Sequence, residues 1–287
     1  MSFKVITESS CDLSQMRANA FGIKIIPFSV SLDGADPVPE NTLKTEQFYG
    51  ELRGGKMAKT SALNIAEYTE CFEEELKKGN DILHIGLSSG LSASFGCACL
   101  AAEELKEKYP ERQIVNIDSI GGSLGQGLLA QLCAERAKKG EPISDVALFA
   151  ERIKHKITHR FTVGDLQFLK NGGRISPTVA VVGALLNIKP MLTATGEGKL
   201  LVCEKVRGRA AAINNLFDAY ESVHDVRYKH LPIFISHADC KDDAKRLKEM
   251  LKEKHPGREV YINSIGALMG AHAGPDTLAI FFIGEER

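Results

Sequence analysis

The chain has 287 residues, which is enough for two domains, and its 44% hydrophobic and 25% charged residues are ordinary for a soluble globular protein. Its 36 lysines and arginines nearly cancel its 37 aspartates and glutamates, which argues against nucleic acid or an anionic membrane as a partner. No apolar run reaches the roughly 18 residues of a spanning helix. The first residues read as a strand and not as a signal peptide, so we expect a cytoplasmic protein.

The seven cysteines are scattered, without the regular spacing of a disulfide framework. Cys97 and Cys99 form a C-x-C pair within a predicted helix, where residues two apart point to different faces. A metal or redox site is the alternative for this pair. We favour small buried thiols, and expect no metal.

The first half of the chain alternates short apolar runs with amphipathic stretches. The predicted strands are residues 4–7, 24–32, 81–87 and 113–118. The predicted helices are residues 12–21, a helix capped by Asn64 that runs to about 78, a helix from Ser92 to about 109, and one that ends near 137. Strands that alternate with helices at this spacing predict a parallel sheet covered on both faces, that is, a three-layer α/β/α domain over residues 1–150.

The pattern changes near residue 150. The predicted strands are residues 159–163, 232–236, 259–263 and 277–283, and the predicted helices are 165–170, 177–186, 210–220 and 242–253. Residues 190–195 and 199–206 flank Gly196-Glu197-Gly198, which indicates a β-hairpin. An antiparallel hairpin combined with helical crossovers predicts a two-layer α+β domain with a mixed sheet over residues 151–287.

Three hydroxyl-rich segments lie where the predicted sheet meets its loops: residues 7–10, 59–61 and 88–94. In an open parallel sheet, ligands bind beyond the carboxyl ends of the strands, where free N–H groups and helix dipoles favour an anion. Hydroxyl groups donate hydrogen bonds to an anion without adding a charge. These residues could instead only cap helices. Three such segments at one expected edge favour an anion site.

Residues 86–90 match the G-x-S-x-G pattern of an α/β-hydrolase, with Ser88 as the nucleophile. Asp118 and His272 would keep the usual order of the triad. However, the best helix cap is Ser92, so Ser88 would lie four residues before the helix, and no HGGG-like oxyanion segment precedes it. A serine hydrolase is therefore the alternative function.

Other segments are rich in glycine and small residues. His272 lies among small residues that would let the backbone approach a ligand, and histidine can hydrogen-bond a carboxylate in either protonation state. A structural role is the alternative for this histidine.

Arg174 follows Gly172-Gly173 in a turn that we expect to be exposed. Its guanidinium is then either solvated or in contact with a partner or a phosphoryl group. Residues 121–127 match neither nucleotide-binding glycine motif, so we expect them to allow tight helix packing.

In this order, several segments resemble the DegV family along essentially the whole chain. They are TESSCDL (7–13), KTSALN (59–64), GLSSGLSASF (86–95), IDSIGGSLGQG (117–127), LKNGGRIS (169–176) and IGALMGAHAGP (265–275). The chain differs from the family pattern in Glu8 for the usual Asp, in Ala62-Leu63 for a frequent Gln-Pro, and in Ala93-Ser94 for Gly-Thr. These differences leave the hydroxyl residues of the quoted segments in place.

The resemblance implies two α/β domains with a long-chain fatty acid between them. It implies that the hydroxyls of Thr60, Ser61 and Ser92 bind the carboxylate and that His272 supports it, directly or through water. Apolar runs at 179–186 and 278–283 would then cover the acyl chain, although a plain core explains them equally well.

The resemblance also implies a role without catalytic residues, as the binding subunit of a bacterial fatty acid kinase. A separate ATP-binding kinase subunit would phosphorylate the acid to an acyl phosphate for phospholipid synthesis. Arg174, Arg207 and Arg209 would face that subunit. The bound acid would be a ligand, and no cofactor is expected. A protein that senses lipid without a kinase is a further alternative.

Overall fold

The structure, a computed structural model, describes residues 2–176 and 187–285. The helix predicted for residues 177–186 lies outside the described residues. The strands in chain order are β1 (Phe3–Glu8), β2 (Lys24–Ile26), β3 (Ser29–Leu32), β4 (Val38–Pro39), β5 (Ala58–Ser61), β6 (Asp81–Gly86), β7 (Ile114–Asp118), β8 (Ile157–Thr162), β9 (Ile188–Ala194), β10 (Leu200–Arg207), β11 (Ile233–His237), β12 (Val260–Ser264) and β13 (Leu278–Ile283). The described α-helices are α1 (Gln15–Phe21), α2 (Thr45–Arg53), α3 (Ile65–Lys77), α4 (Ser94–Lys108), α5 (Ser123–Lys138), α6 (Ile143–Ile153), α7 (Gln167–Asn171), α8 (Arg209–Val223), α9 (Lys241–Lys254) and α10 (Ala267–Ala273).

A parallel sheet of order β2-β1-β6-β7 forms the centre of the first half, as predicted. Its strands bury side chains on both faces, which is why β6 is a nearly continuous apolar run. Neighbouring residues of β1 show the alternation: Val5 packs with α1, α5 and α6, whereas Ile6 packs with α3 and α4. The sheet therefore lies between two helical layers.

Helix α3 begins where the sequence predicts. The side chain of Asn64 accepts a hydrogen bond from the amide of Glu67 at 3.1 Å, and the Glu67 carboxylate accepts one from the amide of Asn64 at 2.8 Å. This reciprocal pair is a capping box. Two other predicted starts are wrong: α1 begins three residues later than expected, capped by Ser14, and α4 begins at Ser94 instead of Ser92.

Residues 29–61, here termed the arm, form a unit that the sequence did not predict. The expected strand at 24–32 is divided, because β2 ends at Ile26 and β3 belongs to a separate antiparallel sheet of order β4-β3-β5. Pro27 lies at the break and has no N–H group with which to continue the parallel ladder. Helix α2 completes the arm.

A six-stranded mixed sheet of order β10-β9-β8-β13-β11-β12 forms the centre of the second half. The predicted β9–β10 hairpin is antiparallel, and only the β11–β12 pair is parallel. Helices α8 and α9 pack on one face of this sheet. The strands of the two large sheets come from residues 3–118 and 157–283, and a domain boundary at residue 150 stays a prediction.

Helix α5 lies between the two large sheets, and its residues 123–134 are buried on all sides. Its glycines allow this close packing. A β-carbon at Gly121 or Gly125 would overlap the ring of His159, and one at Gly127 would lie 2.7 Å from the carbonyl oxygen of Cys11. The prediction that residues 121–127 serve tight packing is confirmed. Within the described residues, no helix has both the length and the apolar character needed to cross a bilayer.

Candidate functional site

A cavity of about 570 Å³ lies between the carboxyl end of the parallel sheet, the arm and the mixed sheet. Leu87 and Gly121 line it from the loops after β6 and β7, as expected for an open parallel sheet. Most of its wall is apolar. The large apolar lining residues are Phe28, Leu87, Leu91, Phe161, Leu169, Leu200, Ile265, Leu268, Met269 and Phe281.

Strand β13 shows how the mixed sheet serves both the core and the cavity. Its residues alternate between the two faces: Ala279 and Phe281 line the cavity, while Ile280 and Phe282 pack against the helices of the second half. Both interpretations of this apolar run, as core and as cavity wall, therefore hold for alternate residues. The other predicted apolar run, residues 179–186, lies outside the described residues.

The hydroxyl and imidazole groups proposed for the head group line this same cavity. Thr60 on β5 and His272 on α10 are joined by a hydrogen bond of 2.9 Å between Oγ1 and Nε2, although 212 residues separate them in the chain. Ser61 and Ser92 also line the cavity. The Oγ of Ser92 lies 2.8 Å from the Oγ of Ser94 and accepts the Ser94 amide hydrogen at 3.2 Å. All four predicted residues therefore line one cavity, and two of them, Thr60 and His272, are in direct contact.

The electrostatic environment keeps His272 neutral near pH 7. Burial lowers the pKa of His272 to about 4, and the positive charge of Arg174 contributes to the same shift. Its Nδ1 atom is buried and has no hydrogen-bond partner within the described residues. A β-carbon at Gly172 would overlap this atom, so glycine is required there for the ring to fit. A neutral imidazole can either donate to or accept from the Thr60 hydroxyl.

The expectation that Arg174 is exposed is wrong. Its side chain is half-buried and lines the cavity. Its Nε donates to the carbonyl oxygen of Leu91 at 2.7 Å, and Nη1 donates to the carbonyl oxygen of Gly172. Burial lowers the pKa of the guanidinium, which nevertheless keeps its positive charge because arginine starts from a very high value. The cation therefore faces the cavity.

Arg207 and Arg209 do not line the cavity. Arg207 is exposed at the end of β10. Arg209 begins α8, where its Nε forms an ion pair of 2.8 Å with Asp243 and its Nη1 donates to the carbonyl oxygen of Asp276. A contact with a partner stays a prediction for all three arginines.

Ser88 has a structural environment. It is fully buried, its Oγ donates to the carbonyl oxygen of Gly198 at 3.0 Å, and the same atom accepts from the amide of Gly90. Asp118 instead accepts from the Oγ of Ser89, and His272 bonds to Thr60. Among the described residues, no hydrogen bond joins Ser88 to a histidine. This geometry argues against the hydrolase alternative.

The first hydroxyl-rich segment does not reach the cavity, contrary to expectation. Thr7 Oγ1 donates to the carbonyl oxygen of Ile85 at 2.7 Å, and Ser10 Oγ donates to Gln126 at 2.9 Å. Ser9 Oγ accepts from the amide of Phe28. These hydroxyls connect β1 and the turn after it to neighbouring elements and to Phe28, just before the arm, because buried polar groups need partners.

Glu8, in the same segment, forms a buried polar network that the sequence did not predict. Its Oε1 accepts from Tyr68 at 2.7 Å and lies 2.8 Å from His84 Nε2, while Oε2 accepts from the Leu87 amide at 3.0 Å and from Gln126 at 2.6 Å. Burial alone would raise the pKa of Glu8, but the charge of His84 and these hydrogen bonds outweigh it and hold the pKa below its ordinary value. The network fixes the start of the loop after β6, whose first residue, Leu87, lines the cavity.

All seven cysteines are free, and burial raises the pKa of the Cys133 and Cys240 thiols to about 12, which makes them unreactive. Cys97 and Cys99 are partly buried. Within residues 2–176 and 187–285, no group of three or more histidines, cysteines, aspartates or glutamates is arranged to hold a metal ion.

The fold and the cavity define an α/β protein with a deep apolar pocket between a parallel and a mixed sheet. Residues 2–285 match the model of the DegV family, and the chain belongs to this family. A DegV domain-containing protein of Clostridium perfringens is 38% identical over 287 residues, which cover 99% of this chain and 98% of that protein.

Solved structures of this family share the fold. A fatty-acid-binding DegV family protein of Thermus thermophilus is 27% identical with a TM-score of 0.87, over 99% of this chain and 100% of that chain. DegV of Bacillus subtilis, a fatty acid binding protein, is 29% identical with a TM-score of 0.86, over 99% and 100%. A fatty acid binding DegV family protein of Streptococcus agalactiae is 26% identical with a TM-score of 0.84, over 100% of both chains.

Proposed function

We propose that this protein binds a long-chain fatty acid, with the carboxylate at Thr60, Ser61, Ser92 and His272 and the acyl chain in the apolar cavity. The observation that carries the proposal is the pairing of Thr60 with His272 at the wall of a large, mainly apolar cavity. Relatives from Thermus thermophilus and Bacillus subtilis that share the whole fold are fatty-acid-binding proteins.

The physical chemistry of the cavity suits such a ligand. Burial of a dozen methylene groups at about 0.8 kcal/mol each provides on the order of 10 kcal/mol, so the acyl chain supplies most of the affinity. Hydroxyl and neutral imidazole groups then orient the carboxylate by hydrogen bonds. The half-buried Arg174 adds a positive charge to the same cavity, which favours an anion over a neutral lipid.

Native mass spectrometry of the purified protein, followed by lipid extraction, tests the proposal. We expect a bound fatty acid, or uptake of one from an added mixture. A protein that carries none and takes up none would contradict fatty-acid binding.

Replacement of the head-group hydroxyls is expected to weaken binding. Thr60→Val and Ser92→Ala each remove a donor to a charged acceptor, so each should cost about 1–3 kcal/mol, or about a 5- to 150-fold increase in Kd. Ser144→Ala on α6 is the control, since its hydroxyl is exposed and lies outside the cavity. Fluorescent-ligand displacement measures the Kd values, and unchanged affinity in both variants would place the head group elsewhere.

We further propose that the protein presents the bound acid to a separate ATP-binding kinase subunit, which phosphorylates it to an acyl phosphate. The family resemblance supports this role. If hydrogen-bond donors hold the carboxylate without a direct ion pair to a lysine or arginine, the carboxylate stays nucleophilic. Within the described residues, the hydrogen bonds of Arg174 go to the backbone carbonyl oxygens of Leu91 and Gly172. Acyl phosphate should form only when protein, kinase subunit, ATP and fatty acid are combined; its absence would favour a lipid sensor that has no kinase.

A further inference from the structure

We propose that Glu40 is a positioning residue for the head-group site: it fixes the arm on helix α10 and thereby holds Thr60 against His272. The inference rests on the proposed function, because it assigns the residue that sets the geometry of the same site. It concerns a buried carboxylate that does not line the cavity.

Glu40 binds the start of the helix that carries His272. Its Oε1 accepts the amide hydrogen of Leu268 at 2.8 Å, and the amide of Ala267 also faces this carboxylate. Helix α10 has no side-chain cap from its own sequence, since Gly266 occupies the N-cap position. Glu40 therefore supplies from the arm an acceptor that the helix lacks.

The contact is close and buried. The side chain of Glu40 is only 8% exposed, and a β-carbon at Gly266 would overlap its Oε1. Burial raises the pKa of Glu40, whereas hydrogen bonds from the Ser9 side chain and from the backbone amides of Leu268 and Ala267 oppose this effect. A buried acceptor is costly without a donor, so the hydrogen bond between Oε1 and the Leu268 amide holds the side chain against α10.

The arm and α10 are joined at further points along the helix. Tyr49 on α2 donates to the carbonyl oxygen of Ile265 at 2.9 Å, and its ring packs against Gly270, where a β-carbon would lie 2.5 Å from the hydroxyl oxygen. Thr60 meets His272 near the other end of the helix. Glu40 and Thr60 therefore hold one short helix at its two ends.

Asp12 provides a contrast at the same helix end. Its Oδ1 accepts the Gly266 amide hydrogen at 2.8 Å, but Asp12 belongs to the loop after β1 and not to the arm. Asp12 can therefore bind the start of α10 to the loop after β1, but it cannot set the position of Thr60 on the arm. Glu40, by contrast, belongs to the arm and bonds to a backbone amide in the first turn of α10, so it couples this end of the helix to the segment that carries the Thr60 hydroxyl.

The test compares palmitic acid with its methyl ester, which has the same acyl chain without the negative head group. Glu40→Ala should raise the Kd of the acid about tenfold and that of the ester less than twofold, because one hydrogen bond to the helix is lost and only the head-group geometry changes. Glu40→Gln keeps an oxygen acceptor for Leu268 and should stay within about twofold of wild type. Glu46→Gln, an exposed residue of α2, is the charge-matched control.

A double-mutant cycle separates positioning from a general structural role. If Glu40 acts through Thr60, then Glu40→Ala should weaken acid binding by less than about twofold further in a Thr60→Val background. Equal losses for acid and ester, or fully multiplicative losses in the double variant, would overturn the inference. If Glu40→Ala does not fold, Glu40→Asp takes its place, since the shorter side chain withdraws the carboxylate from α10.

A second readout does not depend on fatty-acid binding. In the unliganded protein, Glu40→Ala should shift the NMR signals of the His272 ring, and Glu46→Gln should not. Unshifted signals would overturn the positioning role. A wild type that binds neither palmitic acid nor its ester would instead contradict the proposed function, while the ring signals would still decide whether Glu40 positions His272.

Discussion

Glu8→Ala is expected to destabilise the protein by about 3–5 kcal/mol, the usual cost of breaking a buried charge pair by removing one partner. The substitution leaves the Tyr68 hydroxyl, His84 Nε2 and the Leu87 amide without their acceptor in a region closed to solvent. Gln126 loses less, because its Nε2 also donates to Thr7 Oγ1 at 2.9 Å.

Urea unfolding of Glu8→Ala and Glu8→Gln measures this effect. Glu8→Gln keeps an oxygen acceptor and should lose less stability than Glu8→Ala. Glu70→Ala, an exposed glutamate on α3, is the control and should change the free energy of unfolding by less than about 0.5 kcal/mol. A loss below about 1 kcal/mol for Glu8→Ala would show that the carboxylate is not an ionised acceptor.

The second large expected effect is that His272 makes the stability of the protein depend on pH. Because the folded protein lowers the pKa of His272 from 6.5 to about 4, the unfolded chain takes up a proton first when the pH falls. The stabilisation from the neutral ring is fully present above pH 6.5 and is lost as the pH falls toward about 4. At about 1.4 kcal/mol per pKa unit, the loss amounts to about 3 kcal/mol.

His272→Gln should therefore flatten the decline in stability between pH 6.5 and 4 relative to the wild type. The difference between the two proteins isolates His272 from the buried carboxyl groups of Asp12 and Glu40, whose raised pKa values act in the opposite direction. His230→Gln, at an exposed position, is the matched control. Parallel pH profiles for the wild type and His272→Gln would contradict this prediction.

Elements with strong local signals could be predicted from the sequence. Helix α3 has its cap and its Glu67 three residues later, β6 is an apolar run of strand length, and the β9–β10 hairpin has a glycine-rich turn. The head-group residues lie in hydroxyl-rich or glycine-rich segments that the family resemblance aligned. In these cases the residues nearby in the chain determine the local structure.

Features that depend on distant contacts could not be predicted. The two-residue strand β4 is too short for a periodic pattern, and α10 is a short helix rich in alanine and glycine with no cap in its own sequence. Arg174 appeared exposed because its glycine-rich turn indicates a surface, whereas Leu91, distant in the chain, accepts its hydrogen bond. His84 within the apolar run of β6 was a usable signal for the Glu8 network, since a buried imidazole requires a partner.

The burial of helix α5 has a consequence for how the chain folds. Its leucines belong to a hydrophobic cluster that also includes Val5 of the parallel sheet and Phe281 of the mixed sheet. Neither half can bury this helix alone, so a fragment that ends after α6 would leave apolar surface in water and tend to aggregate. The two halves should therefore gain and lose their structure in a single cooperative transition, with α5 as the shared element.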